Sequence, residues 1–192
     1  MDAELRCRCG AVEGRIRNAS PTTANRLVCY CDDCQAFAKY LGRSDLLDVF
    51  GGTDIVQVAP AAISFTRGGD QIVGLRLSPK GLHRWYAGCC KTPLGNTLSP
   101  SIPFVGIVAQ AFGDAGVFGK PRGAIQGRFA LGEPPDRSIG RELRLAARAF
   151  RKIIGWRLGG KAWPNPFFDQ KTGLPNRPLT ILSPAERDAL RR

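Results

Sequence analysis

No cysteine follows Cys90, although the chain runs to Arg192, and none lies outside three short clusters before it. The clusters are Cys7 and Cys9, then Cys29, Cys31 and Cys34, then Cys89 and Cys90. Their total of 7 is odd, which excludes pairing all of them as disulfides. Histidine is nearly missing, with His83 the single one. No apolar run is long enough to span a bilayer; the most apolar stretch, Ile102 to Phe112, is short and contains Pro103 and Gln110. The opening Met-Asp-Ala-Glu-Leu-Arg lacks a basic segment followed by an apolar one, so we expect no secretory signal. A soluble, cytoplasmic protein with no membrane partner is the resulting expectation, and in that reducing compartment clustered thiols bind metal. Gly51-Gly52 is not followed by Gly-Lys-Ser/Thr, which excludes a phosphate loop. The surroundings of the cysteines do not read as a thioredoxin-like βαβ unit, which weighs against a redox relay. Internal repeats and low-complexity tracts are absent.

Acidic residues are scarce in one part of the chain only. The net charge is +12. From Lys120 onward there are 16 Lys and Arg against 6 Asp and Glu, whereas residues 1–119 hold 12 against 10. The cysteine-bearing part is therefore near neutral and the tail carries the basicity. We divide the chain into a β domain over 1–132 and a basic helical extension over 133–192, packed on it.

The first part reads as mainly β. Val12 to Arg17 alternates charged with apolar or small residues, and Leu27 to Cys31 is a short strand-like run into the central cysteines. Ile63 to Arg67, a Gly68-Gly69-Asp70 turn and Ile72 to Leu77 predict a hairpin. Leu82 to Ala87 then delivers Cys89 and Cys90, and Asp33 to Leu41 predicts no more than one or two short helical turns. In the tail, Asp136 or Ser138 is placed to cap a helix running to about Gly155. Ile139, Leu143, Ala146, Ala147, Phe150, Ile153 and Ile154 recur at helical spacing and predict the face that docks. Arg141, Arg144, Arg148, Arg151 and Lys152 predict the solvated one. Pro164, Pro166, Pro175 and Pro178 mark an extended segment, and Ser183 before Pro184 predicts a capped final helix.

Thiols grouped at intervals of one to three residues suit a soft metal, and zinc best of all. Residues i and i+2 of a strand point the same way, so Cys7 with Cys9, and Cys29 with Cys31, can each aim two sulfurs at one point. A turn at Asp32-Asp33 brings Cys34 back toward Cys29 and Cys31. Seven thiols divide as four plus three: Cys7, Cys9, Cys89 and Cys90 as a closed site, and Cys29, Cys31 and Cys34 as an open one. The residues alone also allow His83 as an eighth ligand closing the second site, or a single zinc with spare thiols. The simpler readings are that Asp32 and Asp33 form a turn, that His83 is an ordinary strand residue, and that Trp85 and Tyr86 are core and edge aromatics.

The succession Cys7-Arg8-Cys9-Gly10, Cys29-Tyr30-Cys31-Asp32-Asp33-Cys34-Gln35 and Cys90-Lys91-Thr92-Pro93-Leu94 resembles the glutathione-dependent formaldehyde-activating enzyme and centromere protein V family. The resemblance covers roughly residues 5–115 and is closer to an uncharacterised bacterial branch. It implies an Mss4-like, mainly β zinc fold of short antiparallel sheets. It also implies two zincs, a structural one at the outer clusters and a catalytic one at Cys29, Cys31 and Cys34. The chain departs from the pattern where adjacent Cys89 and Cys90 replace a Cys-x-x-Cys pair and Lys91 replaces a glycine. Tyr30 and Gln35 stand where histidine and arginine are common.

The activity implied is a carbon–sulfur lyase acting on adducts of a thiol such as glutathione with a small aldehyde. Lys39, Arg43 and Lys91 are the cations available to anchor an anionic thiol. The alternative is a non-catalytic, zinc-stabilised binding module whose basic helix contacts an acidic partner such as nucleic acid. No aromatic interleaving or nucleic-acid motif accompanies that helix.

Overall fold

The computed structural model describes residues 1–134 and 138–191, so Asp136 lies outside the described residues. The described residues form a mainly β fold with two sheets and three α-helices. The smaller sheet joins β1 (Ala3–Arg6), β2 (Glu13–Ile16) and β5 (Ile63–Arg67) in the order β1-β2-β5. The larger is built from β3 (Asn25–Cys29), β4 (Thr53–Val58), β6 (Ile72–Arg76), β7 (His83–Ala87), β8 (Pro93–Thr97), β9 (Val105–Val108), β10 (Ala124–Ile125) and β11 (Leu179–Ile181). Its order is β10-β3-β4-β9-β8-β7-β6-β11, antiparallel except at the two edges, where β10 runs parallel to β3 and β11 parallel to β6.

The hairpin expected over 63–77 does not form. β5 pairs with β2 (Ile16 opposite Ile63) while β6 pairs with β7 (Ile72 opposite Ala87), so the glycine turn passes the chain from one sheet to the other. Gly68 sits there at φ 64°, and a Cβ on it would lie 2.1 Å from the Ala11 carbonyl oxygen. That close approach excludes any side chain.

The principal core gathers Leu5, Ile16, Val56, Ile72, Trp85 and Ile107, among others. Trp85 stacks on Phe167 with ring centres 5.1 Å apart, and its indole N–H donates to Thr97 Oγ1 at 2.9 Å. Phe167 and Phe168 are buried, so the proline-marked segment of the tail is threaded through the same core before β11 completes the sheet. A second cluster seats α1 (Asp32–Tyr40) through Phe37 and Leu41 against Leu75, Leu77 and Tyr86. Leu182 and Leu190, flanking and ending α3 (Pro184–Leu190), join it. Ser183 caps α3 as expected, and Glu186 returns a bond to the Ser183 backbone N–H.

α2 (Ile139–Leu158) extends three residues beyond the expected end, and Ser138 stands at its N-cap without a side-chain cap bond. It docks through the face opposite to the one expected. Leu145 and Trp156 are buried, and Arg148 and Lys152 reach the domain. Arg148 donates to Asn25 Oδ1 and the Pro21 carbonyl, both at 3.2 Å, and Lys152 to the Thr22 carbonyl at 2.6 Å. The aliphatic stems of long cations cover apolar surface while their heads satisfy loop carbonyls. Among the described residues no helix is long and apolar enough to cross a membrane.

Candidate metal centres

Two tight turns assemble the first centre. Cys7 follows β1, and the chain reverses at once: Gly10 N–H donates to Cys7 O at 3.0 Å and Cys7 N–H to Val12 O at 2.9 Å. Gly10 supplies the left-handed conformation the reversal needs, φ 77°. Val12 N–H donates to the Cys7 sulfur at 3.2 Å. The facing turn links β7 to β8, closed by Ala87 and Thr92 and by Lys91 N–H on Ala87 O, with Lys91 at φ 57°. Thr92 stitches the two turns together: its hydroxyl accepts from Arg8 N–H at 3.0 Å and meets Cys90 Sγ at 3.2 Å.

Cys7, Cys9, Cys89 and Cys90 therefore converge, their sulfurs all within 4.8 Å of one another. The separations are 3.5 Å for Cys7–Cys9, 3.9 Å for Cys7–Cys89, 3.4 Å for Cys9–Cys89 and 3.8 Å for Cys89–Cys90. A disulfide requires about 2.05 Å. A tetrahedral thiolate site with metal–sulfur bonds of about 2.3 Å has edges of about 3.8 Å. The spacing fits a metal site. Adjacent Cys89 and Cys90 both reach it, the left-handed turn at Lys91 taking the place of a Cys-x-x-Cys knuckle.

The second centre lies where β3 ends and α1 begins. Cys29 is the last residue of β3, Cys31 is the N-cap of α1, and Cys34 lies in its first turn. Cys31 Sγ accepts from Cys34 N–H at 3.4 Å, so the thiol does what a serine or aspartate usually does at a cap. The three sulfurs also lie within 4.8 Å of one another. They sit at the N-terminal, positive end of α1. Asp32 and Asp33 are not a turn between ligands; they form the first turn of α1, where carboxylates favour the helix dipole.

Within each centre neighbouring thiols are driven in opposite directions. Hydrogen bonds from the Cys29 and Cys31 thiols, and then the Arg84 charge, hold Cys34 well below the ordinary thiol range against its burial. Cys29 is correspondingly pushed up by Cys31, Cys34 and burial. Burial would raise Cys90, but the Thr92 hydroxyl and donors from Cys9 and Cys7 bring it down to about 6. Cys89 is pushed up to about 12 by desolvation and the neighbouring thiols. A bound cation would favour the thiolate form of the groups pushed up.

Arg84 is the group that sequence reading did not find. It is the second residue of β7, 1% exposed, and Nε, Nη1 and Nη2 show no conventional hydrogen-bond partner. Its carboxylate neighbour, Asp33, is 3.6 Å away, and the guanidinium sits 5.3 Å over the Phe37 ring. A buried cation with one distant carboxylate is costly unless further negative charge is close by. Three thiolates with a divalent cation carry a net charge of about −1, which one guanidinium balances. A small cavity of about 10 Å³, the size of one water, adjoins Cys34 and Arg84. Thr53 Oγ1 and Asn96 Oδ1, both on its lining residues, also lack hydrogen-bond partners. The residues fit a metal at this centre, with room for one small further ligand. The sequence signal was an arginine inside the aromatic run His83-Arg84-Trp85-Tyr86.

The other candidates fall elsewhere. His83 belongs to neither group of ligands; it is buried, stacked on Trp85 at 5.9 Å and edge-on to Phe168. Arg43 is held by Asp45 through two bonds of 2.7 Å and lines a cavity of about 490 Å³ beside Cys7 and Cys9, not beside Cys31. Lys91 lies 5.2 Å over the Tyr86 ring.

No curated protein matches the sequence. Among solved structures, a Rhodobacter sphaeroides protein from a structural genomics programme is similar at 15% identity and a TM-score of 0.40, over 63% of this chain and 97% of that one. A family model described as a family of unknown function matches residues 2–128, taking in both cysteine centres. The chain belongs to that family, DUF6151.

Proposed function

We propose that this chain is a two-zinc protein of Mss4-like fold and a carbon–sulfur lyase of the glutathione-dependent formaldehyde-activating type. The observation that supports this reading is the division of seven thiols into a complete set of four and an incomplete set of three, the latter beside a buried guanidinium. All-sulfur sets favour zinc among available divalent ions, and a four-thiolate site is closed, hence structural. Zinc at Cys29, Cys31 and Cys34 would supply a place where an incoming thiol is held deprotonated at neutral pH.

The chain's own groups suit that task. Cys29 and Cys34 are buried and Cys31 is half-exposed, so a thiol reaches the centre from the Cys31 side. Arg84 offsets the negative charge that a further thiolate adds. The reaction class is addition of a small thiol such as glutathione to an aldehyde, and its reverse. In addition the sulfur–carbon bond forms, the carbonyl π pair moves to oxygen, and that oxygen takes a proton; the lyase direction breaks the same bond.

Metal analysis of the purified chain should give two zincs, one removed by mild chelation. In the cobalt-substituted protein, glutathione should shift the visible spectrum of the weaker site only. Exchange between formaldehyde, glutathione and their adduct, followed by NMR, should quicken with the protein and slow when Cys31 is replaced by Ser. One tightly held zinc, with spectra and exchange unmoved by glutathione, would leave a structural zinc module without this chemistry.

A further inference from the structure

The outer face of α2 is apolar. Ile139, Leu143, Phe150, Ile154 and Leu158 follow one another at intervals of 4, 7, 4 and 4 residues, so they form one stripe. They are 81, 66, 64, 42 and 85% exposed. A helix docked on its own domain ordinarily turns such a stripe inward, but here Leu145, Arg148, Lys152 and Trp156 occupy the docked face. Arg144 and Arg151 flank the stripe, and Arg148 lies behind them on the docked side. Arg144, Arg148 and Arg151 line, with Arg122, a cavity of about 590 Å³ that Ala147 joins to the stripe. Among the described residues none of these four arginines pairs with a carboxylate. Burial and the charges of Arg122 and Arg151 lower the Arg148 pKa, and burial with Arg148, Arg122 and Lys161 lowers that of Lys152, as expected for unneutralised like charges. The helix carries 6 Lys and Arg and a single Glu.

We infer that α2 is a membrane-surface element: its apolar stripe enters the acyl boundary of an anionic bilayer, and the arginine cavity beside it receives anionic headgroups. Three occupants can be weighed by charge and apolarity together. A polynucleotide takes the arginines and leaves five large apolar side chains in water. A second copy covers the apolar stripe but brings two strongly cationic helices side by side. An anionic lipid surface satisfies both features at once, as interfacial amphipathic helices do. Lying in the interface differs from spanning it, so the lack of a spanning helix does not bear against this reading. Membrane-surface binding of α2 requires nothing of the zinc chemistry.

The test is flotation of the metal-loaded full chain with lipid vesicles. Vesicles of phosphatidylcholine with about 30 mol% phosphatidylserine should carry the protein, at least about 10-fold better than phosphatidylcholine alone. Replacing Leu143, Phe150 and Ile154 together by Ser should abolish flotation without lowering the unfolding temperature, because all three are exposed. R144Q with R151Q should weaken binding about 25-fold, about 5-fold for each charge removed. Phe150→Trp should show a blue-shifted emission with anionic vesicles, and it checks insertion should the triple variant misfold. Equal flotation with neutral vesicles overturns the inference, as does an emission spectrum of the Phe150→Trp variant that anionic vesicles leave unmoved. So does dimerisation through the stripe without vesicle binding, or salt-sensitive polynucleotide binding that survives the triple substitution while vesicles are ignored.

Discussion

Arg84 is charged and buried beside Cys34, and that placement gives an expectation. Replacing it by Met removes the cation beside Cys34. The three-cysteine metal should then bind about 10–100-fold more weakly, the usual effect of losing a group that tunes a ligand, while the four-cysteine metal is unaffected. Competition with a chromophoric chelator measures both. A variant that kept both affinities would remove Arg84 from the centre.

His83 has a simpler role. Burial, reinforced by Arg76, lowers its pKa. Between its folded and unfolded values the unfolded chain binds more protons, so this contribution to stability is present above about 6.5 and is lost as pH falls below it. Wild type should lose more stability than His83→Phe between pH 7.5 and pH 5.5, read as the difference in unfolding temperature.

At the scale of elements, Gly68 carries the sheet-to-sheet passage and supports the first cysteine turn. A Cβ 2.1 Å from the Ala11 carbonyl, on a residue at φ 64°, forces that turn to shift. Gly68→Ala should cost about 2–4 kcal/mol in urea unfolding and loosen the four-cysteine metal, which a chelator titration detects. The same region shows what sequence can and cannot convey. The strands around 63–67 and 72–76 were legible because their composition and flanking glycines are local signals. Their partners were not, because a glycine turn looks the same whether it closes a hairpin or hands the chain to a second sheet. The helix of 139–158 was legible from its period, but its docked face was not. That face was decided by carbonyls at Pro21 and Thr22, more than a hundred residues away, accepting from Arg148 and Lys152. The cysteine centres were the most legible part, since spacing within each cluster fixes which sulfurs can meet. Arg84 was visible as an anomaly in an aromatic strand, while its neighbour Cys34 depended on α1 folding back over β7.

Across the whole molecule the two centres bind different parts of the structure. The four-cysteine site ties the β1 turn to the β7–β8 turn, joining the two sheets, whereas the three-cysteine site ties β3 to α1 within one layer. Stepwise chelation should therefore remove the three-cysteine metal with near-ultraviolet circular dichroism retained. Loss of the second metal should coincide with cooperative unfolding, since a closed thiolate site contributes its binding energy to the fold. Simultaneous loss of both metals and structure would mean that the centres are not separable.

α3 adds a consequence for anyone handling the protein. Arg191 ion-pairs with Asp33 and, at 3.4 Å, with Asp32, the two residues between Cys31 and Cys34. The last helix thus acts as a latch on the thiol-bearing turn. An affinity tag fused at residue 192 would sit one position from that latch. Zinc counts and activities measured on such a fusion would report the tag along with the site, so a tag at the other terminus is the better choice.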